Sequence, residues 1–136
     1  MAKESTTPDL VELVRFTFEA ANRRDFDAIL DFYAPEAIWL GTVDDAEGVA
    51  AIRDLWLSYY SAFEEVRLIV DDVVDFGNGV VLAAHRHVGR LVGGAALSER
   101  RVFVYKFVEG RIVQASDFAD IDEARAAAER LAEERG

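Results

Sequence analysis

The chain has 136 residues, of which 51% are hydrophobic, and it contains no cysteine. Its 15 basic and 26 acidic side chains leave a net charge of -11, which repels nucleic-acid phosphates and anionic membrane surfaces. This composition excludes disulfides and cysteine zinc sites, argues against a nucleic-acid partner, and fits a single domain over residues 1–136.

The N-terminal segment shows no targeting signal. "MAKESTTPDL" lacks the apolar core of a signal peptide. No apolar run anywhere in the chain approaches the roughly 18 residues that a membrane span needs. We therefore expect a cytoplasmic protein that does not contact membranes.

Two helices are predicted at the start of the chain. In "TTPDLVELVRFTFEAANRRD" apolar residues recur at helical spacing, with Thr7 as the candidate N-cap and Pro8 at the first helical position. Asp25 can cap a second, short helix in "FDAILDFYA", which Pro35 would end. The chain is therefore expected to begin with a pair of helices.

A strand and a third helix come next. The segment "AIWLGTV", residues 37–43, is typical of a strand. The acidic "DDAEG" that follows lacks the ligand pattern of a calcium loop, and we interpret it as a solvated loop. Residues 49–63, "VAAIRDLWLSYYSAF", carry the broad apolar face of an amphipathic helix.

The remainder of the chain alternates as strands do, and then ends in a helix. Four strands are predicted, "VRLIVDDVVDF", "VVLAAHRHVGRL", "LSERRVFVYKFV" and "RIVQASDF". In the first of them, Asp71 and Asp72 indicate a bulge. The tail "DIDEARAAAERLAEERG" predicts a helix capped by Asp120 or Asp122 and ending at Gly136. Helices on one side of a mostly antiparallel sheet make an α+β fold.

The two histidines of the chain, His85 and His87, are candidates for acid-base chemistry. They lie two residues apart in one predicted strand, so their side chains share a face. Facing inward they could exchange protons near neutral pH, and facing outward they would meet solvent or an interface. The run "VVLAAHRHV" is apolar at both parities before the histidines, so the strand pattern does not choose between these directions.

The third candidate is Asp117, an acid among the apolar residues of the last predicted strand. A carboxyl group in an apolar cavity loses hydration, which raises its pKa toward a range useful for proton transfer. The alternative is a structural role, in which Asp117 closes the strand and helps to cap the final helix, or pairs with Arg101.

The turn "VEGR" decides which residues face Asp117. A two-residue turn pairs Val108 with Arg111, whereas a turn with a glycine bulge at Gly110 pairs Phe107 with Arg111. The basic residue after Glu-Gly favours the bulge. In that form one basic and two aromatic residues share the Asp117 face: Arg101, Phe103 and Tyr105.

The order of elements and three phrases carry a family resemblance. With "RRDFDAILDFYAPEAIWL", "EGVAAIRDLW" and "VEGRIVQASDFADIDEA", nearly the whole chain resembles the SnoaL-like group of the nuclear transport factor two-like superfamily. Relatives include ketosteroid isomerase, polyketide cyclases and limonene epoxide hydrolases. The resemblance implies a cone-shaped, curved, mixed but mostly antiparallel sheet wrapped around helices that enclose a pocket. It also implies a homodimer through the outer face of the sheet.

The resemblance adds roles to the candidate residues. Asp117 matches the acid that points into the cone and serves as acid or base in the cyclases and epoxide hydrolases. His85 and His87 align where the epoxide hydrolases carry an arginine and an aspartate, which favours an inward direction but puts that mechanism in doubt. We predict Asp117, His85 and His87 as catalytic. The predicted substrate-binding residues, whose aromatic members could equally be ordinary core, are Tyr33, Trp39, Trp56, Tyr59, Arg101, Phe103 and Tyr105.

These observations predict a small-molecule pocket protein. The leading hypothesis is an enzyme that acts on a small apolar substrate by general acid-base catalysis, as an isomerase, cyclase or hydrolase. The alternative is a non-catalytic ligand-binding or dimerisation module of the same fold. Two histidines and a carboxylate could form a facial metal site, but spacing alone is weak support and we expect no metal. No glycine-rich phosphate loop is present, so no cofactor is expected.

Overall fold

The computed structural model describes residues 9–134. The helices are α1 Leu10–Asn22, α2 Phe26–Leu30, α3 Val49–Tyr60 and α4 Ile121–Glu134. The strands are β1 Tyr33–Leu40, β2 Asp45–Glu47, β3 Phe63–Gly77, β4 Val80–Leu91, β5 Ala96–Val108 and β6 Arg111–Phe118. Within residues 9–134, no helix has the length and apolarity needed to cross a membrane.

Aspartates cap three of the helices. The Oδ1 of Asp9 accepts hydrogen bonds from two backbone amides of the first turn of α1, so α1 begins one residue after Asp9. The predicted cap at Thr7, the predicted first position at Pro8 and the chain end at Gly136 lie outside the described residues. Asp25 accepts from a first-turn amide of α2, as predicted. For α4 the cap is Asp120, whose Oδ1 accepts from the backbone amide of Asp122 at 2.8 Å.

The first two strands correct the sequence prediction. Strand β1 begins at Tyr33, so Pro35 lies inside the strand instead of ending α2. The strand tolerates this proline because its pairing with β6 is interrupted between Tyr33 and Ile38. The acidic segment predicted as a loop contains β2, which pairs antiparallel with β1. Its charged, exposed ends are typical of a short edge strand, which resembles a loop in sequence.

The six strands form one curled sheet in the order β2-β1-β6-β5-β4-β3. Only the β1–β6 pair is parallel, so the predicted mixed, mostly antiparallel α+β cone is confirmed. The pairing of β3 shifts register between Val70 and Asp72, so the predicted bulge is present, with Asp71 as the extra residue. Bulges bend a strand, and α1 packs against this bulged strand.

The end of α1 holds the edge strand β3. The Asn22 side chain donates to the Leu68 carbonyl at 3.0 Å and accepts from the Leu68 amide at 2.8 Å. The Arg24 guanidinium donates to the Val66 carbonyl at 3.2 Å. These bonds satisfy backbone groups that an edge strand would otherwise leave unpaired, and they fix the end of α1 to β3.

Helix α4 packs on the outer face of the sheet, which corrects the expectation that the helices all lie on one side. Ala124 and Ala128 are fully buried against the β4 and β5 side chains Leu82 and Val104. Both faces of β4 are covered, and this is why apolar residues occur at both parities of that strand. A homodimer through the outer face stays a prediction, and α4 restricts it to the uncovered part of that face.

The β3–β4 turn offers a test of the fold. Gly79 has φ +82°, and an added Cβ would overlap the Phe107 carbonyl oxygen. We expect Gly79→Ala to lower the free energy of unfolding by about 3 kcal/mol, from backbone strain and steric overlap together. Gly77 has φ +84° with open space around it, so Gly77→Ala should cost only about 1 kcal/mol. Equal losses in urea unfolding would contradict the proposed overlap.

Candidate active site

The β5–β6 turn is a two-residue turn, so the predicted glycine-bulge turn is wrong. Val108 pairs with Arg111, and the two residues between them, Glu109 and Gly110, have φ values of 53° and 79°. Positive φ at both central positions is what a tight two-residue hairpin turn requires. The basic residue after the glycine did not distinguish the two turn types.

A bulge inside β6 nevertheless gives the predicted facing of Asp117. Phe107 pairs with Ile112, whereas Lys106 pairs with Gln114, so Val113 is an extra residue in β6. Beyond this bulge, Asp117 lies directly opposite Phe103, and residues directly opposite in a sheet share a face. Arg101 and Tyr105 follow by alternation, so the prediction for this face holds for a different structural reason.

The concave face of the sheet and the helices α1, α2 and α3 enclose a cavity of about 460 Å³. All seven predicted substrate-binding residues line it, and so do His87 and Asp117. His85 is 2% exposed and lies behind His87. Both histidines therefore face inward, as the family resemblance indicated.

Aromatic rings from the sheet and the helices line much of the cavity. Trp39 meets Trp56 edge to face with ring centroids 5.7 Å apart, and it meets Phe103 in the same way at 5.2 Å. Tyr33 also meets Trp56 edge to face. Perpendicular rings of this kind pack stably against each other. They leave a rigid apolar surface for a ligand.

An ion pair occupies one side of the cavity. The Arg101 Nε lies 3.1 Å from Asp117 Oδ1, and its Nη2 lies 2.7 Å from Oδ2. The Arg101 and Asp117 side chains are 12% and 16% exposed. Arg101 also donates to Thr42 Oγ1 and lies 3.6 Å from Glu99 Oε2. The alternative in which Asp117 pairs with Arg101 is thus realised, but the pair still lines the cavity.

Burial and the ion pair act in opposite directions on Asp117. Loss of hydration raises the pKa of its carboxyl group, and the hydrogen bonds and charge of Arg101 lower it, with burial the larger effect. Glu99 adds a smaller upward contribution to the same pKa. The pKa of Asp117 is therefore higher than that of a surface aspartate, so its carboxylate is protonated more readily.

A hydrogen-bonded chain runs from the cavity into the sheet. The Tyr59 hydroxyl lies 2.6 Å from His87 Nδ1. The Nε2 atoms of His87 and His85 are 3.1 Å apart, and His85 Nδ1 lies 3.0 Å from the Ala83 carbonyl oxygen. Tyr59 lines the cavity from α3, so these hydrogen bonds connect a cavity-lining tyrosine to the buried imidazole of His85.

Both imidazoles are neutral near pH 7. Burial lowers the pKa of His85 to about 4, and the Ala83 hydrogen bond only partly opposes it. Burial lowers the pKa of His87 to about 3, helped by the charge that His85 carries once it is protonated and by the charge of Arg101. Burial likewise raises the pKa of Tyr59 to about 12. The hydrogen-bonded set of Tyr59, His87 and His85 therefore contains an un-ionised phenol and two neutral imidazole rings.

These residues do not form a metal site. In the part of the chain that the structure describes, no three histidine, aspartate or glutamate side chains are grouped so that they could hold a metal ion. The two Nε2 atoms face each other at hydrogen-bonding distance, and both Asp117 oxygens bond to Arg101. The facial set of two histidines and a carboxylate is thus not assembled.

Sequence reasoning missed several polar residues of the cavity, and two of them, Glu99 and Thr42, contact Arg101. Glu99 precedes Arg101 by two positions in β5, so its strand parity could have placed it on the same face. Thr42 lies beyond the end of β1, where alternation no longer applies, and its contact with Arg101 had no signal in the sequence.

The sequence also matches a known family model, that of the SnoaL-like domain, over residues 14–115. The chain belongs to the SnoaL-like domain family. A search of curated proteins finds no significant match to this SnoaL-like chain.

Solved structures show the same fold at low identity. An NTF2-like protein of unknown function from Burkholderia pseudomallei has a TM-score of 0.74 and 23% identity, over 82% of this SnoaL-like chain and 91% of that one. A predicted SnoaL-like polyketide cyclase from Jannaschia has a TM-score of 0.73 and 18% identity, over 88% of this chain and 90% of that one. A protein with a ketosteroid isomerase-like fold from Catenulispora acidiphila, in complex with trimethylamine, has a TM-score of 0.72 and 14% identity, over 90% of this chain and 94% of that one.

Proposed function

We propose that this SnoaL-like protein is an enzyme that binds a small, largely apolar molecule and catalyses a proton transfer on it. One observation carries the proposal: the Arg101–Asp117 pair and the Tyr59–His87 pair line a single cavity whose other lining residues are mainly aromatic and aliphatic. A few polar groups converging in an apolar pocket are the usual form of a small-molecule site. The cyclase-like and ketosteroid isomerase-like neighbours are consistent with this class.

The proposed roles follow from the charges. The Asp117 carboxylate accepts a proton from the substrate, since burial raises its pKa toward the useful range. The Arg101 guanidinium stabilises negative charge that develops on a substrate oxygen. Tyr59 and His87 supply hydroxyl and imidazole groups that can exchange a proton with the product. A reaction of this type needs neither a metal nor an external oxidant.

A second function is favoured by two observations. Both oxygens of Asp117 already bond to Arg101, and both imidazoles are poor bases at neutral pH. The same cavity could therefore bind a ligand without changing it. The two functions differ in whether the bound molecule exchanges protons.

Hydrogen exchange on a ketone separates these functions. With 2-acetylnaphthalene in D₂O, we expect the protein to accelerate deuterium incorporation beside the carbonyl, read by mass spectrometry. Asp117→Asn should lower this rate at least about 100-fold, because it removes the base. Asp71→Asn is the matched control, since Asp71 pairs with Arg86 on the outer surface.

Two outcomes would overturn the catalytic proposal. Thermal stabilisation by the ketone without any deuterium incorporation would favour the binding function. Incorporation that is equally fast in Asp117→Asn and in the protein with Asp117 would remove Asp117 from the mechanism.

A further inference from the structure

The hydrogen-bonded chain behind the cavity has one consistent direction. The Ala83 carbonyl oxygen can only accept, so His85 must carry its proton on Nδ1. A neutral His85 then has a bare Nε2, which accepts from Nε2–H of His87. The Nδ1 of His87 is bare in turn, so the Tyr59 hydroxyl donates its proton to it.

The opposite direction fails at its buried end. If Tyr59 accepted from Nδ1–H of His87, then His85 would donate from Nε2 and carry a lone pair on Nδ1. That lone pair would face the Ala83 carbonyl oxygen at 3.0 Å, where His85 is 2% exposed and no solvent replaces the lost bond. The backbone carbonyl therefore sets the polarity of the whole chain.

We propose that His85 is a positioning residue that fixes the Tyr59 hydroxyl, through His87, as a hydrogen-bond acceptor toward the cavity. His85 does not line the cavity itself, whereas Tyr59 does. Because the Tyr59 proton is held by His87, its oxygen offers lone pairs to a ligand. The ligand group that meets the Tyr59 oxygen is therefore a hydrogen-bond donor, such as a phenol or other hydroxyl group, whereas a carbonyl oxygen is matched by Arg101.

One added proton reverses this preference. When the histidine pair takes up a proton, His85 carries hydrogen on both nitrogens, and His87 accepts at Nε2 and donates from Nδ1 to the Tyr59 oxygen. The hydroxyl hydrogen of Tyr59 then points to the cavity. The neighbouring aromatic rings, Phe18 from α1 and Phe103 from β5, carry no charge. The charged groups whose fields act on these three residues are Arg101, Glu99, Asp117 and Asp71.

This inference rests on the proposed ligand cavity but not on turnover. Nitrogen-15 NMR of the two rings tests the direction of the chain without any ligand. At pH 7 we expect His85 as the Nδ1–H tautomer and His87 as the Nε2–H tautomer. His87 protonated on Nδ1 at this pH would overturn the proposal, whatever the enzyme does to a substrate.

Two substitutions of His85 distinguish positioning from packing. His85→Phe keeps a ring against Phe18 and Phe103 but removes the acceptor, so the His87 proton should shift toward Nδ1, where the Tyr59 oxygen can accept it. His85→Gln restores an acceptor and should restore the Nε2–H tautomer. Tyr59→Phe should leave that tautomer unchanged, because the direction is set from Ala83. A His87 tautomer that is insensitive to His85→Phe would overturn the role of His85.

A pair of probes tests the consequence for ligands. 2-Naphthol and 2-methoxynaphthalene share a ring system, but only the naphthol can donate. We expect the naphthol to bind about tenfold more tightly at pH 7, the effect of one hydrogen bond, and Tyr59→Phe should abolish that preference. Equal binding of the two probes, or a preference that survives in Tyr59→Phe, would overturn the assignment of Tyr59 as the acceptor.

Discussion

Lowering the pH from about 6.5 to 4 is expected to destabilise the protein by several kcal/mol. In the folded chain the pKa values of His85 and His87 are about 4 and about 3, against about 6.5 for an unfolded histidine. Within this window the unfolded chain binds more protons than the folded one, so the free energy of unfolding falls as the pH falls. His85 alone contributes about 3 kcal/mol, at about 1.4 kcal/mol per pKa unit.

Urea unfolding at several pH values between 4 and 7 measures this effect. Asp117 acts in the opposite sense, because its raised pKa makes the folded chain the better proton acceptor, so the histidine contribution is isolated by substitution. A His85→Gln/His87→Gln double variant should lose most of the pH dependence in this window. A flat profile for the unsubstituted protein would show that the rings are not buried as neutral groups.

Removing Arg101 is expected to cost about 3 kcal/mol of stability. Arg101→Met leaves the Asp117 carboxylate with little solvent and with Glu99 nearby, and an uncompensated buried charge is strongly destabilising. Asp117→Asn should cost less, because Arg101 keeps contacts to Glu99 and Thr42. The Arg101→Met/Asp117→Asn double variant should recover much of the loss.

A double-mutant cycle in urea checks the coupling between these two residues. The losses of unfolding free energy in the two single variants should add up to about 2 kcal/mol more than the loss in the double variant. The Arg101→Met variant should also regain stability as the pH is lowered, since protonation removes the unpaired charge of Asp117. Additive losses would mean that the Arg101–Asp117 bond contributes nothing beyond packing.

Alternation along the strands explains how much of the fold could be predicted. The bounds of β4 and β6 agree with the sequence prediction, because each strand begins directly after a glycine turn, at Val80 and at Arg111. The start of β1 could not be predicted, since Pro35 normally ends a helix and its place in a strand depends on the interrupted pairing with β6. Strand β2 is equally invisible, because its stability comes from the neighbouring β1 and not from its own residues.

The site shows a different limit. The candidates Asp117, His85 and His87 could be named from residue type and parity, and all three face inward. Their direction could not be derived from the strand pattern, because α4 makes the outer face of β4 as apolar as its inner face. The facing of Asp117 depends on the bulge at Val113, which pairing creates and no residue pattern marks. The Tyr59–His87 contact joins α3 to β4 across 28 positions of the chain, which local sequence does not encode.

The position of α4 also bears on the order in which the molecule can be completed during synthesis. The helix follows all six strands in the chain, yet it supplies the cover for an aliphatic stripe on the sheet exterior, formed by Val80, Leu82, Val102 and Val104. A nascent chain that has made the whole sheet still presents this stripe to water until residues 121–134 emerge. The cavity can thus form while this stripe is still exposed and able to associate with other unfinished chains.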